Sequence, residues 1–296
     1  MYLCDIMRHE HFKKKSDCII VTSADSAFFI FLEAMVKSLV RFQNELRFCF
    51  GVLDQGLSDD EKKRIETLIE VTWVKPIWHE WVPSHLRKDI YIGLQARMEL
   101  RDYFPGYKYY LWFDADAWAQ TPEFFNAFVN GAEQCGASVV EEKGVGYRKT
   151  FNDLKWWYGN LILCFGPMNG LKLIRKSSIN IGISCFRNDA PHWLDWKKMY
   201  VHCIKNSDKI NMDQHALFGA IHLNKNKTKF LNSKYNWLPQ LSKPSWHLLK
   251  KQFCVPNSKH ESISILHLAG PKKDRYYNIK TNYNKIVKKQ IIFSAL

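Results

Sequence analysis

The sequence predicts an α/β fold, a mostly parallel central sheet with helices on both faces. Three observations carry this. Short apolar runs alternate with stretches of helical periodicity through the first half of the chain. Between two of those runs, Ser58-Asp59-Asp60-Glu61 has the form of a capping box opening a helix. The run Tyr109-Tyr110-Leu111-Trp112-Phe113 is apolar or aromatic throughout, as a strand covered on both faces requires.

In chain order, Cys-Ile-Ile-Val-Thr-Ser-Ala-Asp over 18–25 reads as the first strand. A helix follows over 27–40, with Phe28, Phe31, Leu32, Met35 and Leu39 at helical spacing. Strands are expected at 46–53 and 71–77, on either side of the capped helix, which turns Ile65, Leu68 and Ile69 inward. A helix over 94–103 leads to the aromatic strand. Thr121-Pro122 then opens another, with Thr121 as N-cap and Pro122 at its first position. The second half is less regular. Residues 144–176 are rich in aromatics and Lys/Arg around Trp156-Trp157-Tyr158, and read as an acceptor platform, a lid or a decorated loop. A strand is expected at 179–186, and a helix at 191–204 with Trp193, Trp196, Tyr200 and Cys203 on one side. A late strand at 263–268 ends near Gly270. From Tyr276 onward the chain reads as a basic, aromatic tail, either resting on a membrane surface or disordered in solvent. No repeat, Gly/Ser linker or low-complexity block divides the sequence.

The composition is that of a globular protein with ample core, 46% hydrophobic and 24% charged. Aromatics reach 15%, a surplus that suits the flat C–H faces of sugar rings. The net charge of +14 attracts phosphates, anionic lipid or nucleic acid without selecting among them, or simply gives a well-solvated surface. No RNA-recognition, zinc-finger or helix-turn-helix signature is present, so nucleic acid is not an expected partner. The eight cysteines are scattered without C-x-x-C pairs, several in apolar runs such as Arg47-Phe48-Cys49-Phe50, which reads as buried free thiols in a reducing compartment. Asp5, Arg8, His9 and Glu10 occupy the place of a signal peptide's apolar core, and no window has the length of a membrane span. A cytoplasmic setting with peripheral contact to an anionic membrane is expected.

Chemistry enters at Asp114-Ala115-Asp116. On a strand, side chains two apart project to the same face, so the two carboxylates would stand together at the carboxyl end of a buried strand. Ligands bind at such ends in open sheets, and Asp25 ends a strand in the same way. A hard divalent cation relieves the repulsion of two carboxylates and can hold a pyrophosphate; loop carboxylates are the plainer reading. Met212-Asp213-Gln214 opens a helix, which aims amides and polar side chains at an anionic ligand or uses Asp213 as N-cap. Asn180-Ile181-Gly182 begins a strand where Gly182 permits close approach of a sugar or a bulge. In His267-Leu268-Ala269-Gly270-Pro271-Lys272-Lys273, the imidazole can complete a metal shell and lysine can meet phosphate.

In this order the segments resemble family 8 of the GT-A fold glycosyltransferases, the relatives of glycogenin and of bacterial lipopolysaccharide galactosyl- and glucosyltransferases. The resemblance runs over residues 18–273. It rests on Thr-Ser-Ala-Asp, Ala96-Arg97, Phe-Asp-Ala-Asp, Asn-x-Gly, Asp-Gln, Lys-Tyr-Asn-Trp at residues 234–237 and His-x-x-Gly-x-x-Lys. It implies one GT-A catalytic domain over residues 1–296. Residues 18–143 would form a Rossmann-like nucleotide-binding half, 144–275 an acceptor and sugar half, and 276–296 a tail. It further implies metal-dependent, retaining transfer of a hexose, from UDP-glucose or UDP-galactose, to a glycan, lipopolysaccharide, other lipid-linked glycan or protein acceptor. By the same resemblance, Asp114, Asp116 and His267 would bind manganese or magnesium. Asp25 would lie near the base, Arg97 near the donor and Lys273 on the diphosphate. Asn180, Asp213 and Gln214 would surround the sugar, with Gly182 and Gly270 in the donor-binding set and Gln214 or Asp213 as the catalytic stabiliser of the sugar cation. The chain departs from the family at Ile181, usually small and polar, and at Asp274-Arg275, usually Pro-Trp. Two other classes compete: a nucleotidyltransferase using the paired aspartates, and a non-catalytic basic module holding anionic lipid or RNA.

Overall fold

The structure is a computed structural model that describes residues 16–258, 261–270, 273 and 276–293. The readings made on Cys4, Asp5, Arg8, His9, Glu10, Pro271, Lys272, Asp274 and Arg275 lie outside the described residues. The elements are β1 (Cys18–Ala24), α1 (Phe29–Val40), β2 (Cys49–Asp54), α2 (Asp59–Glu66), β3 (Thr72–Val74), α3 (Ile92–Ala96), α4 (Leu100–Tyr103), β4 (Tyr109–Phe113), β5 (Ala117–Ala119), α5 (Glu123–Cys135) and β6 (Ala137–Glu141). They continue with α6 (Phe151–Ile174), β7 (Ile179–Arg187), α7 (His192–Ser207), α8 (Asp213–Leu223), β8 (Thr228–Leu231), β9 (Ser245–His247), β10 (Gln252–Cys254), β11 (Ile265–His267), β12 (Tyr276–Lys280) and β13 (Ile286–Gln290).

Seven strands form the central sheet in the order β3-β2-β1-β4-β7-β6-β8. It is parallel except at β7, which runs antiparallel to both β4 and β6. The unbroken apolar runs follow from helices covering both faces. In β4, Tyr110 and Trp112 point into one core with α6, α7 and α8. Tyr109, Leu111 and Phe113 point into the other, with α1 and α5. β1 divides likewise, Ile19 and Val21 to one side and Cys18 and Ile20 to the other. The Ser58 capping box on α2 is formed, Ser58 Oγ accepting from Glu61 N and Glu61 Oε2 from Ser58 N. Thr121 does not cap α5. Its hydroxyl donates to Ser264 Oγ, because β11 comes within reach there, and the helix starts without a side-chain cap. The expected helix over 94–103 is broken into α3, a 3-10 turn at Arg97–Glu99, and α4.

Residues 151–174 are helical rather than a loop. Thr150 and Asp153 form a capping box, and Trp157, Leu161, Cys164 and Phe165 pack inward at helical spacing. The period is masked in sequence because apolar residues also occupy the outward face. Gly166, at φ 73° and ψ 168°, interrupts the helix before Pro167. A Cβ at Gly170 would lie 2.9 Å from the Ile162 Cα, so 167–174 folds back against 151–165.

The expected tail is also a structured element. β12 and β13 pair as an antiparallel hairpin, and Tyr277, Ile279, Ile291 and Phe293 fill a third core with Trp118, Trp237, Trp246 and Phe253. Its alternation of apolar and basic residues is that of a strand with one face covered. The seven described cysteines carry free thiols, most of them buried. No helix among the described residues is long and apolar enough to cross a membrane.

Two buried histidines make the fold acid-sensitive. Burial pushes His192 and His215 down to about 4. The unfolded chain, near 6.5, then takes the proton first, so their contribution is intact above about pH 6.5 and is lost as pH falls towards 4. The expected loss is about 1.4 kcal/mol per pH unit for each group inside that window. Urea midpoints at pH 7.5 and 5 check this: the midpoint should drop at pH 5, and His215→Phe should flatten the drop. An equal midpoint at both values would remove these histidines as the cause.

Candidate metal and donor site

Asp114 and Asp116 are not on the strand. β4 ends at Phe113, and the next residues form a tight turn in which Ala117 N donates to Asp114 O at 2.9 Å. The turn, rather than strand alternation, brings the carboxylates to one side. Immediately beyond it β5 pairs antiparallel with β11, setting Ala117 opposite His267, and Leu268 N donates to Asp116 O at 2.9 Å. This pairing carries a histidine from far along the chain onto the aspartate turn.

The result is a compact triad. One ligand atom each from Asp114, Asp116 and His267 lie within 4.8 Å of one another. His267 Nε2 is 3.5 Å from Asp114 Oδ2 and 3.3 Å from Asp116 Oδ1. His267 Nδ1 donates to Asn236 Oδ1 at 2.9 Å, which directs the Nε2 lone pair at the carboxylates when the ring is neutral. The Asn236 amide is itself fixed, since its Nδ2 donates to Asn180 Oδ1 at 2.8 Å. Asn180 Oδ1 also accepts from Gly182 N at 3.0 Å. On the other side, Trp112 Nε1 donates to Asp114 Oδ1 at 2.6 Å. Two carboxylates and one imidazole form a donor set that fits a hard divalent ion such as Mn2+ or Mg2+.

The charges are arranged to match. Burial alone raises the Asp116 carboxyl, but His267 and Lys273 beside it outweigh burial and hold it well below the usual range. Burial lowers His267, and the adjacent Asp116 and Asp114 more than restore it. Lys273 Nζ donates to Asp116 Oδ2 and, at 3.0 Å, to Leu268 O, and lies 5.3 Å from the Phe28 ring centre. It thus ties the triad to the turn after β1, where Asp25 Oδ1 accepts from Phe28 N at 3.0 Å.

Gly182 serves this geometry directly. A Cβ there would sit 2.2 Å from His267 Cε1 and 2.6 Å from Asp114 Oδ2. The room expected for an approaching sugar is therefore taken by two members of the triad. The register between β6 and β7 jumps between Val139 and Val140, leaving 181–183 of β7 unopposed by β6. Asp114 N donates to Gly182 O at 2.7 Å, fastening this stretch to the turn.

Asp213 does not act as a plain N-cap; Met212 holds that position. Its carboxylate is buried and lies 2.6 Å from Arg97 Nη2. Burial raises the Asp213 carboxyl, with Arg97 opposing and Asp114 adding to the rise. Arg97 lies over the Trp112 ring, 5.3 Å from its centre. Its Nε and Nη1 are buried without a hydrogen-bond partner, a costly arrangement unless a ligand completes it. Gln214 Oε1 accepts from Ile181 N at 3.4 Å. Gly270, with φ 92°, has open space where a Cβ would point. The structure thus gathers Asp114, Asp116, His267, Lys273, Asn180 and Gly182 into one bonded network. Arg97, Asp213 and Gln214 flank it through Trp112 and Ile181. Asn236 and Trp112 were named in sequence only as parts of longer runs. Asn236, inside Lys-Tyr-Asn-Trp, was the more legible of the two.

Arg97→Met should cost about 3–5 kcal/mol, because it strands the buried Asp213 carboxylate. The double variant Arg97→Met/Asp213→Leu should recover much of that loss. Urea unfolding distinguishes the two; a single variant as stable as wild type would show that the pair is not an ion pair.

No family model matches the sequence, and no curated protein matches it. Solved structures do. The galactosyltransferase LgtC in complex with donor and acceptor sugar analogs superposes with a TM-score of 0.54 at 17% identity, over 86% of this chain and 87% of that one. An active-site mutant of LgtC gives 0.54 at 15%, over 86% and 88%. The bifunctional glycosyltransferase WbbM gives 0.56 at 14%, over 89% of this chain and 47% of that one. These likenesses establish the GT-A fold expected from sequence.

Proposed function

We propose that the chain is a metal-dependent hexosyltransferase that moves glucose or galactose from a uridine diphosphate carrier to a glycan, a lipid-linked glycan or a protein. The observation that carries this reading is the Asp114–Asp116–His267 triad, with Lys273 beside it, at the carboxyl edge of the sheet. Residues 18–143 are assigned to the nucleotide and 144–275 to sugar and acceptor. The similarity to LgtC, solved with donor and acceptor sugar analogs, supports the class of partner.

Asp114, Asp116 and His267 would hold Mn2+ or Mg2+, which when bound neutralises the diphosphate as a Lewis acid. The remaining roles belong to the chain. Lys273 leaves Asp116 to meet a phosphate oxygen, adding positive charge where the leaving group becomes more anionic. Asp25, at the end of β1, faces the base. Arg97, held between Trp112 and Asp213, is assigned to the donor side. Gln214, held by Ile181 N, places its amide oxygen against the developing sugar cation, and Asn180 orients the sugar hydroxyls. Transfer with retention is assigned on the front-face route, with the departing phosphate oxygen taking the acceptor proton.

A donor screen tests this. Nucleotide sugars are incubated with Mn2+, and nucleoside diphosphate release is followed with and without chelator. Release from one donor, abolished by chelator, is the expected result. Pyrophosphate release from a nucleoside triphosphate would favour nucleotidyl transfer instead. Thermal shifts with each nucleotide separate a missing acceptor from a missing donor site.

A further inference from the structure

We propose that the helical hairpin α6 is a docking surface for an anionic lipid bilayer. Its two limbs, 151–165 and 167–174, turn one side to the core and the other to solvent. The solvent side is largely apolar. Phe151 is 78% exposed, Met168 76% and Leu171 58%, and Trp156, Ile162 and Leu163 are also exposed. Trp156 and Leu163, seven residues apart, share one side of the first limb, with Ile162 next to Leu163. Met168 and Leu171 follow on the second, beyond the break at Gly166. Because the Gly170 backbone packs on Ile162, the apolar groups at the bend form one protruding cluster rather than a scattered set.

Charge names the occupant. Lys155, Lys172, Arg175 and Lys176 are exposed along the same limbs and just beyond them. The acid on this side, Asp153, is engaged in capping its own helix. An apolar ridge bordered by cations, in a chain of net charge +14, fits a surface that is anionic outside and hydrocarbon within. A soluble acidic partner would satisfy the cations but leave the Met168–Leu171 ridge in water. The ridge is too short to span a bilayer, so the helices lie in the interface.

The placement also differs from the sequence expectation, which put membrane contact on 276–296. The described part of that segment is a hairpin that commits Tyr277, Ile279, Ile291 and Phe293 to the third core and leaves Tyr276, Tyr283 and Ile286 exposed. The outward side of α6 exposes six large apolar residues, Phe151, Trp156, Ile162, Leu163, Met168 and Leu171, against those three on the hairpin.

Sedimentation with vesicles tests docking, and its readout is independent of any sugar-transfer activity. The full chain is mixed with phosphatidylcholine vesicles, with or without a quarter phosphatidylglycerol. Wild type should pellet with the anionic vesicles, and Met168→Glu/Leu171→Glu and Lys172→Glu/Arg175→Glu should each weaken partition by at least about tenfold. Lys285→Glu/Lys288→Glu, on the terminal hairpin, should bind nearly as wild type does. All four positions of the α6 variants are exposed, so melting temperatures should match wild type and certify folding. Failure to bind anionic vesicles, equal binding by the α6 variants, or loss confined to the hairpin variant would overturn the proposal. So would a lipid-free dimer that Met168→Glu/Leu171→Glu splits, since a second copy would then cover the ridge.

Discussion

Asp116→Ala should abolish donor turnover, lowering it about a thousandfold or more, while the chain stays folded. Asp116 is the most enclosed of the two carboxylates and the one that both His267 and Lys273 address. Without it, His267 and Lys273 lose the carboxylate they share, and the remaining Asp114 and His267 make a poor site for a hard ion. His267 also loses its main counter-charge, so its proton affinity falls. The measurement pairs nucleoside diphosphate release with Mn2+ titration by calorimetry. Loss of both with an unchanged circular dichroism spectrum is the expected outcome. Turnover that survives within tenfold would place the chemistry elsewhere in the crevice.

Gly182→Ala should disable the same site without touching a ligand. The added methyl would lie 2.2 Å from His267 Cε1, where the imidazole has no freedom to retreat because Asn236 holds its Nδ1. Either His267 swings away, which separates the triad, or β7 shifts and carries the Gly182–Asp114 hydrogen bond with it. Mn2+ affinity is expected to fall by about a hundredfold, the scale seen when groups that orient metal ligands are lost. A stability loss of about 1–3 kcal/mol for overpacking should accompany it. Gly159→Ala is the matched control. Gly159 is exposed in α6 with nothing within 4 Å of the would-be methyl. That change should be neutral or stabilising by up to about 1 kcal/mol. If Gly182→Ala bound Mn2+ as tightly as wild type, the close packing at Gly182 would play no part in holding the triad.

Much of the first half was legible because local rules decide it. β1, β2 and β4 are apolar runs between helix signals, and the Ser58–Glu61 box announces α2 in four residues. The aspartate couple was legible as chemistry, though its geometry came from a turn and not from strand alternation. The second half resisted reading for a different reason. The inward period of α6 is overlaid by outward apolar residues, which local pattern cannot separate from core. The terminal hairpin shows a basic, aromatic composition whose apolar half is used only because Trp118, Trp237 and Trp246 offer it a surface.

The sequence by itself determined which groups are available: two carboxylates two residues apart at the end of a buried run, an imidazole, a lysine, and a glycine at 182. It also determined the sheet that ends at them, since burial on both faces leaves few alternatives to a run such as Tyr109–Phe113. Tertiary structure alone decided which groups meet. The pairing of β5 with β11 set His267 on Asp116. The lodging of His267 and Asp114 over Gly182 and the bonding of Asn236 to both His267 and Asn180 were decided there too. Contacts between residues far apart along a chain depend on how whole layers pack, and no neighbouring residue encodes that distance.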